Sequence, residues 1–344
     1  MLTGASKAAP NDHFAWADVI KGTCIVLVVL VHVTNKYFVF LPGPEPFRVA
    51  WEVFGRGLNP LRMPLFFLIS GFLAARSIGR PWGRTLLPRV VQPYYLYVIW
   101  LVVSAAIYIA LATPIDGTNA ASARGVAEAF LYPASSLWYL YALAAYFLIA
   151  KGLCGLPRPV SLAIAVCLAV VVSAWPLTVQ LGVPANLVFF MAGAYFPHVV
   201  QAVAERATPT RALLGSGLYL GVVLIYVVDA DRFPGVRPAA SAVAIWAGLT
   251  VLSVLARFSP FERLGQYIGR HTLPVYVLHL PLLALLSRLY TPAFDGGLVS
   301  TIAAAVYPAI TVVALVAAAL GLCILLRGAG LGWLFSMPKR LVRA

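Results

Sequence analysis

Three ionisable residues in one apolar stretch are the first candidates for chemistry. From Trp16 to Phe38 the chain reads WADVIKGTCIVLVVLVHVTNKYF, apolar enough to cross a bilayer, yet it carries Asp18, Lys21 and His32. On a helix each residue advances ~100° around the axis and ~1.5 Å along it. His32 therefore points within about 20° of Lys21 and stands roughly 16 Å further on, with Asp18 within about 40° of the same line. A charge inside a span costs at least ~2.5–3.5 kcal/mol on insertion scales, less near the ends, so such a stripe must face a bundle interior or a wet cavity. Imidazole is the side chain best suited to proton transfer near neutral pH, which makes His32 a candidate general base. The alternative is structural: Asp18 and Lys21 as an interfacial i,i+3 pair, with His32 bonded to a neighbouring carbonyl.

The element that must position these residues is a membrane helix. The chain has 344 residues, 62% hydrophobic and 10% charged, with a mean hydropathy of +0.90. No water-soluble domain of this size would carry that composition on its surface. About ten segments approach the roughly 20 apolar residues that a span requires, near 18–40, 58–76, 90–112, 137–153, 159–176, 184–199, 212–228, 239–256, 272–290 and 300–326. The fifth and sixth are the least clearly separated. These segments predict an all-α polytopic membrane protein, a single transmembrane domain over 1–344 with a polar leader (1–13) and a basic tail (327–344). The leader and the long first apolar run lack the pattern of a cleavable signal.

The net charge of +14 would suit nucleic acid in a soluble protein, but in a membrane protein it reports topology. An even number of spans puts both termini on one side. Loops on that side, with Arg89, Lys151 and Arg270 among their charges, hold 17 of the 25 Lys and Arg residues, leaving 8 for the other. The positive-inside rule then puts both termini in the cytoplasm of a multi-pass protein of the inner (plasma) membrane, with no nucleic-acid partner. Cys24, Cys154, Cys167 and Cys323 lie in apolar runs without paired spacing and read as small core residues rather than metal ligands or disulfides. Arg outnumbers Lys 20 to 5, a usage typical of a GC-rich genome.

Four motifs in order resemble one family. Asp-x-x-Lys-Gly, an aliphatic run and His ("DVIKGTCIVLVVLVH") is similar to the opening of the acyltransferase 3 membrane proteins, where a basic residue, ten intervening residues and a His mark the first span. Lys21 and His32 fit that spacing, with Lys where many members have Arg. "RMPLFFLISGFL" (Arg62 to Leu73) resembles the family's Pro-Leu-Phe-Phe-x-x-Ser-Gly-Phe, "SSLWYLYAL" (Ser135 to Leu143) its Leu-Trp-Phe-Leu, and "TLPVYVLHLPLL" (Thr272 to Leu283) its Tyr-x-x-His. The matches cover roughly residues 14–290.

The resemblance implies an O-acyltransferase that takes an acyl group, acetyl or another, from cytoplasmic acyl-CoA to a hydroxyl within or beyond the membrane. His32 would be the base, Asp18 would orient Lys21, and Lys21 would stabilise developing or phosphate charge. Arg76, Arg80 and Arg84, with Trp82 at the turn between them, would hold the coenzyme's phosphates and adenine, because guanidinium groups bind phosphate bidentately and indole stacks on a base. The family's paired loop arginines are two residues apart, whereas three residues separate Arg80 from Arg84 here, and topogenic charge accounts for the same run. His279, level with the lower half of the first span, and Tyr276, one turn before it, are candidates for acceptor handling. Equally, His279 could bond carbonyls freed by the bracketing Pro274 and Pro281. Ser70-Gly71 reads first as close helix packing, Arg62 as an acceptor contact or a snorkelling charge, and Trp138 as an acceptor contact or part of an outer aromatic belt. Outer segments with Glu45, Arg48, Glu52 and Arg56, then Asp116, Arg124 and Glu128, suit a sugar headgroup or an ordinary solvated surface.

Expected partners are thus the bilayer, acyl-CoA and an envelope saccharide or glycolipid, such as a trehalose mycolate. The rival is a proton-coupled secondary transporter or lipid-linked flippase, which buried ions would also serve. Such folds often carry an internal repeat, and the Lys21-to-His32 pattern has no second copy in the back half of the chain.

Overall fold

A computed structural model of the chain describes residues 14–41, 45–113, 123–131, 135–174, 182–229, 236–290, 292, 294 and 297–338. Regular structure among them is helical throughout. In a bilayer a peptide group finds no water, so each apolar run closes its hydrogen bonds within itself. Helix α1 (Ala15–Lys36) carries the charged stripe, and α2 (Glu45–Gly57) leads into α3 (Asn59–Ile78). A short α4 (Trp82–Leu86) and a π-helical turn (Leu87–Val91) precede α5 (Gln92–Ala110). Then come α6 (Ala123–Leu131), α7 (Trp138–Gly152), α8 (Arg158–Ala174), α9 (Gly182–Tyr195) and α10 (Pro197–Glu205). The chain ends with α11 (Pro209–Asp229), α12 (Val236–Leu255), α13 (Ser259–Arg270), α14 (Thr272–Leu289) and α15 (Leu298–Gly328).

Each of the ten expected segments is largely helical over its described residues. Six helical stretches among the described residues are long and apolar enough to cross a membrane, or up to seven if α9 and α10, bent by 82°, form one crossing. Of the other expected segments, α7 has 15 residues and α8 has 17, while the apolar part of α11 runs over Pro209–Ile225.

Two close crossings fix the site's frame. Where α3 crosses α9, a Cβ on Gly71 would run into the carbonyl oxygen of Phe190, and one on Gly193 into that of Leu68. Where α13 crosses α1, a Cβ on Gly22 would meet Gly265 O and one on Gly269 would meet Asp18 O. Only residues without side chains let backbones touch in this way, as at helix contacts in membranes. The reading of Gly71 as a packing residue therefore holds. Helix α13 buries Gly265, Ile268 and Gly269 against α1 and exposes Leu264 and Tyr267, with Phe258 exposed just before its start.

The mixed charges of α2 pair along its own surface, Arg48 with Glu45 at 3.3 Å and Arg56 with Glu52 at 3.5 Å, while Trp51 donates to Ala305 O at 3.1 Å. Glu128 is exposed on α6; Asp116 and the Arg124 side chain lie outside the described residues. Cys24 and Cys323 are buried as expected, but Cys154 and Cys167 are exposed. Cys154 falls in the turn after α7, and Cys167 is on the exposed face of the apolar helix α8.

Candidate active site

The crossing of α1 by α13 explains the first polar cluster. Lys21 Nζ lies 2.8 Å from Asp18 Oδ1, and the other carboxylate oxygen of Asp18 is 3.4 Å from Arg270 Nε. Arg270 also donates to Gln266 Oε1 at 2.9 Å. One carboxylate is shared by two cations, and the glycine contact at Gly269 brings α13 close enough for Arg270 to reach it.

Lys21 opens onto a cavity of about 230 Å³. Its polar wall is Lys21, Ser70, Arg89, Tyr139 and Thr272, and the rest is mostly apolar, from Phe66, Leu73, Pro93, Phe147 and Phe190 among others. Arg89 stands in the π-helical turn and is braced by Ser77 Oγ at 3.2 Å and Leu73 O at 3.0 Å. A π turn holds one more residue than an α turn, which rotates the side chains after it out of α-helical phase; such turns recur at functional sites. Ser70 Oγ bonds Phe66 O and Tyr139 OH, each at 2.8 Å.

Further along α1 the rings of His32 and His279 are 5.2 Å apart and inclined by 47°. His279 is buried, with Nδ1 at 2.7 Å from Tyr276 O and 3.1 Å from Val275 O. A carbonyl can only accept, so Nδ1 carries the hydrogen and Nε2 is the acceptor nitrogen of the neutral ring. These are not the carbonyl that Pro281 leaves without a helical donor, which is that of Val277 four residues before it. The pairing also places His279 beside His32 rather than beside the lower half of α1. Because α13 has already crossed α1, α14 starts inside the bundle: its first residue, Thr272, shares the cavity with Lys21.

Tyr276 ties α14 to the start of α7, donating to Ser136 O at 2.7 Å and accepting from Tyr139 N at 3.1 Å. Trp138, partly buried, packs on the buried Phe67 with ring centroids 5.5 Å apart. Arg62 donates to Asn59 Oδ1 at 2.9 Å, and with Lys36 it is a cation whose charge reaches His32.

The loop residues take a different place. Arg76, Arg80, Arg84 and Trp82 are exposed, and none lines the cavity. Their turn is fastened from α7 by Lys151, a buried ammonium that donates to Ile78 O at 2.9 Å and Arg80 O at 2.5 Å and sits 4.8 Å from the centre of the Trp82 ring. Lys151, Arg89 and Arg270 were legible in the sequence only as loop charge. The π turn that aims Arg89 leaves no periodic trace, and the partners of Lys151 are backbone carbonyls of a distant helix.

The described site thus has three parts: a cation-lined cavity holding Lys21, an imidazole pair deeper in the bundle, and an exposed arginine turn. Comparison with known proteins gives this arrangement a context. The family model Acyl_transf_3, described as an acyltransferase domain, matches residues 14–328. The inner membrane protein YcfT of Escherichia coli (strain K12) is 29% identical over 300 residues, covering 79% of this chain and 80% of that protein. The nodulation protein NolL of Sinorhizobium fredii (strain NBRC 101917 / NGR234) is 25% identical over 341 residues, 90% of each chain. No solved structure matches. With its family match running from the start of α1 to the end of α15, the chain belongs to the acyltransferase 3 family of membrane acyltransferases.

Proposed function

We propose that the protein transfers an acyl group, acetyl in the first instance, from cytoplasmic acyl-CoA to a hydroxyl of an envelope saccharide or glycolipid. Both termini would face the cytoplasm of a multi-pass protein in the inner membrane, in keeping with the inner membrane protein YcfT to which it is similar and with the loop charges. The observation that carries the reading is the His32–His279 pair, held inside the bundle on the same face of α1 as the cavity-lining Lys21. A proton-transferring ring is thereby set roughly 16 Å beyond an anion-attracting chamber.

The acceptor hydroxyl attacks the thioester carbonyl as His32, in its neutral form, takes the hydroxyl proton. The new C–O ester bond forms as the C–S bond breaks, and the proton passes from His32 to the departing thiolate to give free coenzyme thiol. Lys21, held by Asp18, and Arg89 supply positive charge at the donor's end of the path. Arg76, Arg80, Arg84 and Trp82, outside the cavity, would take the nucleotide part. His279, Tyr276, Arg62, Ser70 and Trp138 would shape the acceptor's approach and the walls of the path.

The test is release of coenzyme A thiol from acetyl-CoA by the purified protein in detergent, with and without an envelope lipid and glycan extract that includes trehalose glycolipids. Turnover that depends on the extract and falls at least ~100-fold in His32→Ala, with donor binding intact, is the expected result. Folded protein that neither binds nor turns over the donor overturns the reading.

A further inference from the structure

The cavity contains one polar feature that neither the charges nor the imidazole pair accounts for. Ser70 Oγ donates its single proton to Phe66 O. The 2.8 Å contact between Ser70 Oγ and Tyr139 OH must therefore be donated by the tyrosine. Proton order thus runs from Tyr139 to Ser70 to the Phe66 carbonyl, which leaves the oxygen of the cavity-lining Tyr139 with lone pairs to accept a hydrogen bond.

That oxygen is held in place by its ring. Tyr139 stacks on Phe66 at 4.6 Å and 9°, meets the edge of Tyr276 at 5.5 Å, packs on Phe67 at 4.9 Å, and is 8% exposed. An acceptor fixed in an otherwise apolar wall recognises a neutral N–H or O–H and discriminates against a ligand that lacks one. The same cavity has Lys21 and Arg89 in its lining, so its ligand joins an anionic group to a neutral arm bearing hydrogen-bond donors. At about 230 Å³ the space is smaller than the ~300–1,000 Å³ that encloses a drug-sized molecule, so it admits a slender arm and not a nucleotide.

We propose that the Ser70–Tyr139 hydroxyl pair is the subsite for the amide-bearing arm of the acyl donor, with Tyr139 Oη accepting a hydrogen bond from an amide N–H of the pantetheine chain. This rests on the acyl-CoA reading above. Tyr139 is then a specificity residue for the donor: the arm threads past it while the phosphates stay with the cations.

Binding of coenzyme A to the full-length protein in detergent, measured by calorimetry, tests the assignment. Tyr139→Phe keeps the ring and removes the oxygen. It is expected to weaken coenzyme A about fivefold to tenfold, the loss of one neutral hydrogen bond, and to leave 3′-phosphoadenosine 5′-diphosphate, which has no arm, unchanged. In the wild type, a coenzyme A analogue with both amide N–H groups replaced by ester oxygens should lose the same factor, a result independent of how the variant folds. Equal coenzyme A affinity in Tyr139→Phe, equal loss for both ligands, or undiminished binding of the ester analogue overturns the subsite while leaving the acyl-CoA reading in place. A wild type that binds neither coenzyme A nor its nucleotide overturns both.

Discussion

Residues with the same charge have different fates in this chain, and burial separates them. Arg89 is braced at the cavity wall by Ser77 and Leu73, whereas Arg76 is exposed and does not line the cavity. Arg89→Gln should therefore weaken acyl-CoA binding at least about tenfold, and Arg76→Gln less than about threefold, because a charge-assisted contact in a walled site counts for more than one at the surface. Calorimetric titration of both variants checks the ratio, and equal effects would mean that the braced Arg89 holds the donor no more firmly than an exposed loop arginine. The Lys21-to-His32 relation was legible in the sequence because helix geometry alone sets it. Arg270 was not, since its contact with Asp18 joins residues 252 positions apart.

At the level of elements, the site depends on helix crossings that tolerate no side chain. Gly269→Ala would push a methyl group into Asp18 O and pry α13 from α1, just where Asp18 serves both Lys21 and Arg270. A loss of about 1–3 kcal/mol is expected from such overpacking, seen as a lower melting midpoint together with reduced turnover. Gly221→Ala, on α11 with nothing near its added methyl, should be neutral or stabilising by up to about 1 kcal/mol. A Gly269→Ala protein as stable and active as wild type would mean that the α1–α13 contact does not govern the site. Hydropathy identified every long apolar run as a helix, because membrane insertion and helix formation follow from the same apolar length. It passed over α13, whose twelve residues mix Arg263 and Arg270 with Leu264 and Tyr267 and so resemble a polar loop. Its Gly265 and Gly269, four apart in the sequence, were the available signal for a close crossing.

For the whole molecule, the orientation in the bilayer decides which compartment supplies the donor, and the chain's own cysteines report it. Cys154 is exposed in the turn three residues after Lys151, at the end of the bundle that carries the arginine turn. Cys24 and Cys323 are buried, and Cys167 faces outward from an apolar helix where thiolate has no water to form in. A membrane-impermeant maleimide should therefore label inverted membrane vesicles and not intact spheroplasts, and the label should vanish in Cys154→Ser. This follows because the positive-inside rule, the arginine turn and Cys154 all belong to one face of the bundle. Labelling of Cys154 in spheroplasts would put the arginine turn outside the cell. Cytoplasmic acyl-CoA could then no longer meet that turn, and the route from Lys21 toward His32 would have to be read as an acceptor path instead.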